Sequence, residues 1–312
     1  MKTLVTEWTA AERIAEMEHF VGNTPLFRIK SLFSKPGVEL YAKVEWQQYG
    51  GSVKARPAYN IIRSAIHDGH LTEGKILLDA TSGNTGIAYA IFCAVSGIPL
   101  TLCIPENASR ERKSILKSLR ANIVYTSQYE TTDGSQRVAK EMAENEPHKY
   151  FYADQYSNRN NWLAHYNGTA QEIWEQTEGR VTNFVAALGT TGTFTGTGTR
   201  LKELNSKIQL TALQPETALH GLEGWKHLET AKVPAIYNDQ LADEFRGIDT
   251  LEAYEVIRDA AKFEGLLLSP SSAANLVGAM RVAEKLESGV VVTVLPDNSD
   301  KYGEIVQHIF KN

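Results

Sequence analysis

The strongest constraint in this sequence is a repeated switch between short apolar runs and helix-like segments. Residues 76–80 read as a strand, followed by a helix over 84–96 that Gly97 can end. Residues 99–105 read as the next strand, then come a charged helix over 109–119 and a strand over 122–126. The alternation returns with strands at 183–188, 208–213 and 290–295 and helices over 165–177, 250–263 and 272–286. Strands separated by whole helices cannot close hairpins, and they pair in parallel through right-handed crossovers. The expected fold class is α/β, with twisted, mostly parallel sheets flanked by helices.

At 312 residues, against a prior of ~150 per domain, the chain is expected to form two lobes. A helical pattern over 7–20 gives way to a turn at 22–26, and a strand over 38–46 leads into Gly50-Gly51-Ser52-Val53-Lys54-Ala55-Arg56-Pro57. A helix is then expected from Pro57 to Asp68, and another over 135–145 before a strand end at 150–155. The polar run 157–161 reads as an exposed connection and as the lobe boundary. Residues 214–243 show no clean period and are expected to wrap the surface near substrate.

Charge narrows the function classes. A formal net charge of −5 with no lysine or arginine block disfavours nucleic acid as a partner. No apolar run reaches the ~18 residues of a membrane span, and the first residues lack a cleavable leader, so a soluble, cytoplasmic protein is expected. The two cysteines, Cys93 and Cys103, are too few for a disulfide framework or a zinc site and read as buried hydrophobic thiols.

Three stretches carry chemistry. Thr81-Ser82-Gly83-Asn84-Thr85-Gly86 joins a strand to a helix, and Gly189-Thr190-Thr191-Gly192-Thr193 repeats the arrangement with more hydroxyls. Such junctions offer N–H donors and the positive end of a helix dipole to an anion. They lack the lysine of a nucleotide-binding P-loop and the glycine spacing of a dinucleotide fingerprint, so one small phosphate fits them better than ATP or NAD. The plain alternative is a tight turn that needs glycine for backbone reasons. Lys54, between small residues and just beyond a strand, is the candidate Schiff-base amine, a role that requires partial desolvation. A solvated surface lysine is the commoner fate for any one lysine.

These stretches, with Ser271-Ser272, Gly22-Asn23-Thr24-Pro25-Leu26, Pro105-Glu106-Asn107 and Asp154-Gln155, resemble the cysteine synthases in order and spacing over nearly the whole chain. These are pyridoxal-phosphate enzymes of the tryptophan-synthase-β fold type, fold type II. Thr190-Thr191 in the phosphate loop and His165-Tyr166 resemble the cysteine synthase B subgroup. The resemblance implies that Lys54 binds the cofactor covalently and then acts as acid or base at the substrate Cα. It further implies that Asn84 meets the phenolic oxygen, that Gly189, Thr190, Thr191, Gly192 and Thr193 hold the phosphate, and that Ser271 faces the pyridine nitrogen. Thr81, Ser82, Gly83, Thr85 and Gln155 would grip the substrate carboxylate. It also implies a smaller, mobile lobe over 48–165, a larger lobe from 1–47 plus 166–312, and a homodimer.

The implied reaction is β-replacement through an aminoacrylate. O-acetylserine is the first donor and O-phosphoserine the next, with sulfide or a thiol as acceptor. Lys226, in the segment over 221–227, would meet a phosphate on the donor; the plain alternative is an exposed lysine on a mobile loop. Ala55 stands where the family has an acidic residue, and Ser269-Pro270 replaces Gly-Ile or Gly-Val beside the expected cofactor ring. Rival readings are a cystathionine β-synthase-like or dehydratase activity on serine, and a catalytically silent protein that still binds the cofactor. No regulatory domain is expected beyond the last strand.

Overall fold

The computed structural model describes residues 9–81 and 83–311. Its strands are β1 (Leu26–Ile29), β2 (Val38–Val44), β3 (Ile76–Ala80), β4 (Leu100–Pro105), β5 (Asn122–Thr126), β6 (Tyr150–Tyr152), β7 (Asn183–Ala187), β8 (Gln209–Pro215), β9 (Glu244–Ile248) and β10 (Gly289–Leu295). Its helices are α1 (Ala10–Glu16), α2 (Ala55–His67), α3 (Asn84–Ser96), α4 (Arg110–Ser118), α5 (Thr131–Asn145), α6 (Arg159–Ala164), α7 (Ala170–Gln176), α8 (Gly192–Leu204), α9 (Thr250–Asp259), α10 (Pro270–Lys285) and α11 (Gly303–Lys311). No described helix is long and apolar enough to cross a membrane.

Two sheets organise these elements, in the orders β1-β2-β10-β7-β8-β9 and β5-β4-β3-β6. The described pairings are parallel except β1 with β2. Strand β10 shows why its valine-rich run sits centrally. Val291 and Leu295 face a core built with α9 and α10, while Val290, Val292 and Val294 face the opposite core with Phe184 and Phe194. Alternate side chains leave a strand on opposite faces, so a strand covered on both sides must be apolar throughout. The smaller sheet has its own core around Leu77, Ile87, Phe92 and Leu102.

Several expectations change. Strands β1 and β9 are extra; both lie at a sheet edge and carry exposed positions such as Arg28, Glu244 and Phe245, so neither shows the apolar signature of an inner strand. Helix α2 begins at Ala55, two residues before Pro57, and α5 begins at Thr131. Helix α10 begins at Pro270, which puts Ser271 and Ser272 in its first turn, and α11 follows the last strand.

The run 157–161 is an exposed connection only in part: Ser157 and Arg159 are exposed, but its asparagines are engaged by the fold. The Asn158 side chain caps α6 by accepting from Asn160 N, and its amide donates to the Ala153 carbonyl. Asn161 is buried and donates to the Gln155 carbonyl and to Thr190 Oγ1. The amides that made the run look solvated satisfy the protein's own backbone instead. A π-type turn over His165–Thr169 continues α6 into α7.

Both sheets direct strand ends at one cavity. β3 leads to Thr81, β7 to Gly189 and β10 to Pro296. The lysine loop is tied to the end of β10, since Val53 N donates to the Pro296 carbonyl at 2.8 Å.

Candidate active site

The cavity has a volume of about 490 Å³. Of the residues singled out above, Lys54, Thr81, Gly83, Asn84, Thr85, Gln155, Gly189, Thr190, Thr191, Thr193, Ser271 and Lys226 line it, and Gly192 does not. Ser82 lies outside the described residues.

Lys54 occupies the N-cap position of α2 without using its side chain as a cap. The loop before it needs glycine, because Gly50 and Gly51 both have left-handed backbones, at φ 87° and 61°. Lys301 Nζ donates to both their carbonyls, at 3.3 and 2.9 Å, and so fixes the loop. Burial drives the Lys54 amine below its ordinary pKa, against the opposing pull of Asp297 and Glu45. A depressed amine spends more time neutral, and only the neutral form attacks a carbonyl.

The loop after β3 is braced from below. Thr81 Oγ1 accepts from Gly83 N at 3.1 Å, and Thr85 Oγ1 donates to Gln155 Oε1 at 2.8 Å. Gln155 Nε2 returns a bond to the Ala80 carbonyl at 2.9 Å. Beneath them lies Asp79, fully buried, which accepts from Ala80 N at 2.8 Å and from Gln155 N at 3.4 Å. Burial pushes its carboxyl up to about 8, with the Ala80 N–H pulling the other way. Sequence reasoning passed over Asp79. The signal was present: a carboxylate inside an apolar strand demands partners or a proton.

The loop after β7 is shaped by close approach. A side chain at Gly189 would collide with the Gly224 carbonyl, and one at Gly192 would collide with Asn161 Oδ1. Thr191 adopts a left-handed backbone at φ 71° immediately before α8, and the first-turn N–H groups of that helix, which have no carbonyl partner within it, start where Thr191 and Thr193 line the cavity. Thr190 Oγ1 accepts from Asn161, and Thr193 Oγ1 lies 3.3 Å from His165 Nε2. Burial, with Arg56 and Lys54 nearby, keeps His165 well below its ordinary pKa and therefore neutral.

A third cluster sits at the start of α10. Ser271 and Ser269 stand beside the buried Asp297 carboxylate, which also accepts from Asn84 Nδ2 at 2.8 Å and from the Tyr302 hydroxyl at 2.7 Å. Neither Asp297 nor Tyr302 is among the residues singled out from the sequence. Ser269 does not crowd the cavity. It is buried and caps α10 by accepting from Ser272 N.

Lys226 is not an exposed lysine on a loop. Its side chain is 12% exposed, pairs with Asp133 at 3.0 Å and lies over the Tyr156 ring at 5.3 Å. Arg112, also missed, pairs with Glu223 on the same segment and lies 5.0 Å from the Tyr302 ring centroid. Two ion pairs thus join the 220s segment to the elements around the smaller sheet. The two cysteines are buried and unpaired with one another.

The residues fit a compact phosphorylated carbonyl compound. Thr191 Oγ1 and Asn84 Oδ1 are buried without a hydrogen-bond partner, and buried polar atoms in that state call for one. Both residues line the same cavity as Lys54, one suited to the phosphate end and one to a ring substituent.

Residues 17–297 match the family described as pyridoxal-phosphate dependent enzyme. The chain is 44% identical to a cysteine synthase of Aquifex aeolicus, over 90% of this chain and 88% of that one. It is 36% identical to cysteine synthase B of Escherichia coli, over 93% and 94%. The fold superposes on the crystal structure of a cysteine synthase from Entamoeba histolytica with a TM-score of 0.88 at 31% identity, covering 100% of this chain and 93% of that one.

Proposed function

The chain belongs to the pyridoxal-phosphate dependent enzymes, and from that premise we propose that it replaces the β-substituent of an O-activated L-serine by sulfide to give L-cysteine. The observation that carries the reading is one cavity lined by Lys54, whose amine burial depresses, and by both strand-to-helix loops. One loop serves the cofactor and the other the substrate.

Pyridoxal phosphate, when bound, supplies the carbonyl and the electron sink. Residues 189–193 and the amino end of α8 would hold its phosphate, Lys54 its carbonyl carbon, Asn84 its phenolic oxygen and Ser271 its ring nitrogen. Thr81, Gly83, Thr85 and Gln155, with Ser82, would take the substrate carboxylate. That places the Cα proton near Lys54, which removes it and later returns it. A hydroxyl opposite the ring nitrogen, in place of a carboxylate, leaves the ring uncharged and favours loss of the β-substituent over transamination. The smaller lobe, 48–165, would close on the carboxylate and shield the reaction from water. We place the protein in the cytoplasm as a homodimer.

Between donors, the state of Lys226 favours acetyl. Its ammonium is already paired with Asp133, so a phosphate must first displace that carboxylate, whereas an acetyl group asks for no cation. The test is to supply serine, O-acetylserine or O-phosphoserine with sulfide, cysteine or homocysteine and identify products by mass. The reading expects cysteine, formed fastest from O-acetylserine and sulfide. Product from serine alone would replace it with the cystathionine β-synthase-like or dehydratase alternative.

A further inference from the structure

Asp79, a fully buried acid, has no task in the reaction above. It lies behind the cradle that Thr81, Gly83, Thr85 and Gln155 would form for the substrate carboxylate. Strand β3 carries it on the face it shares with Leu77, toward the core that α3 completes. Its Oδ1 accepts from Ala80 N at 2.8 Å and its Oδ2 from Gln155 N at 3.4 Å. One carboxyl therefore joins the end of β3 to the turn after β6, the two segments from which Thr81 and Gln155 reach the cavity. The Gln155 side chain is held in turn by Thr85 and the Ala80 carbonyl, so a change at Asp79 reaches the cradle through a single residue.

These surroundings do not suit an anion. Among the described residues no lysine, arginine or histidine pairs with Asp79. The titratable groups that act on it are Asp154 and Tyr156 from the turn after β6, Tyr152 from β6, Cys103 from β4 and Tyr89 from α3, none of them a cation. A buried carboxylate without a cation is costly, and such a group keeps its proton instead. The substrate brings a carboxylate of its own to the same two segments, and like charges in a site of low dielectric repel.

We propose that Asp79 is a positioning residue that serves the cradle as a neutral acid: protonated, it ties Gln155 to the end of β3, and ionised, it repels the substrate carboxylate from behind. The inference rests on the assignment of that cradle to the substrate. Burial, against the Ala80 N–H, pushes the Asp79 carboxyl up to about 8. Binding that needs the neutral form then weakens about tenfold between pH 7 and pH 9 by proton linkage.

The test titrates holoenzyme with L-serine at pH 7 and at pH 9 and reads the shift in cofactor absorption, for the wild type and for Asp79→Asn, whose amide keeps the shape and cannot ionise. Effects of pH on the ligand and on Lys54 are common to both proteins, so the ratio of dissociation constants, wild type over variant, isolates Asp79. That ratio is expected to rise about tenfold from pH 7 to pH 9. In infrared spectra of the cofactor-free protein, the wild type is expected to show at pH 7 a protonated-carboxyl stretch that fades by pH 9 and is absent from Asp79→Asn. A constant ratio while L-serine binds both proteins overturns the proposal, as does the lack of that stretch. Asp79→Ser, which also cannot ionise, repeats the comparison, and failure of both variants to load with cofactor overturns the proposal too. If L-serine shifts the absorption of neither protein, the assignment of the cradle is wrong and the proposal falls with it, even where the infrared band is present.

Discussion

Two residues beyond Lys54, Arg56 anchors a buried four-charge cluster whose loss should be expensive. Its guanidinium is 3% exposed and meets Glu45 through Nε at 2.7 Å and Nη2 at 2.9 Å. It also meets Glu172 through Nη1 at 2.6 Å and Nη2 at 2.8 Å. Lys43, itself fully buried, completes the cluster through Glu172 at 2.6 Å. The cluster is neutral as it stands. Arg56→Met leaves two carboxylates to share one lysine, and an uncompensated buried charge costs about 3–5 kcal/mol. At about 2–4 °C per kcal/mol for a chain approaching this size, melting should fall by roughly 10 °C.

Arg56→Lys should fall between, because an ammonium cannot meet both carboxylates with paired donors. Burial raises the Glu172 carboxyl, but Arg56 and Lys43 outweigh it and hold the group at about 2. Folding therefore gains from Glu172 above the ~4.3 of a free glutamate, and loses that gain as pH falls toward about 2. Arg56→Met should flatten that acid-side loss. Calorimetry of the three proteins between neutral pH and pH 3 reads both effects. An Arg56→Met protein that melts within ~2 °C of the wild type, with an unchanged acid slope, would refute the reasoning.

Other predictions rest on separate parts of the site. Gly192→Ala should weaken cofactor binding at least tenfold in a fluorescence titration, because the new methyl group collides with Asn161 Oδ1, and a tenfold change corresponds to only about 1.4 kcal/mol. Asp79 has a folded pKa above its unfolded value, so its contribution to stability fades as pH rises from ~4 to about 8. Asp79→Asn should therefore gain on the wild type across that range in melting temperature, and a constant difference would count against it. Lys226→Ala should leave kcat/KM for O-acetylserine within about twofold and, if O-phosphoserine is used at all, lower its kcat/KM about tenfold, the ~1.4 kcal/mol equivalent of one modest charge contact.

What the sequence made legible follows from local physics. Inner parallel strands such as 76–80 and 290–295 are apolar on both faces and announce themselves, and the two glycine-threonine loops are recognisable because a turn, a helix start and an anion need the same few residues. Edge strands were hidden: Leu26–Ile29 is four residues long, and Glu244–Ile248 has polar and exposed positions. The amide run at 157–161 misled because composition cannot tell an asparagine that meets water from one that caps a helix and reaches the Gln155 carbonyl. The arrangement around Asp297 was out of reach for a different reason. Asn84 is 213 residues away and Ser269 is 28, and no local pattern reports that the two meet at one carboxylate.

The central claim is that Lys54, in one cavity with both strand-to-helix loops, carries the cofactor and moves the substrate proton. The most direct measurement is the near-visible absorption of the purified holoenzyme, followed as O-acetylserine and then sulfide are added, for the wild type and Lys54→Ala. The account predicts that the wild-type band shifts on O-acetylserine and returns on sulfide with release of cysteine, while Lys54→Ala shows neither change. A wild-type band that stays fixed, or a Lys54→Ala protein that cycles as the wild type does, would contradict it.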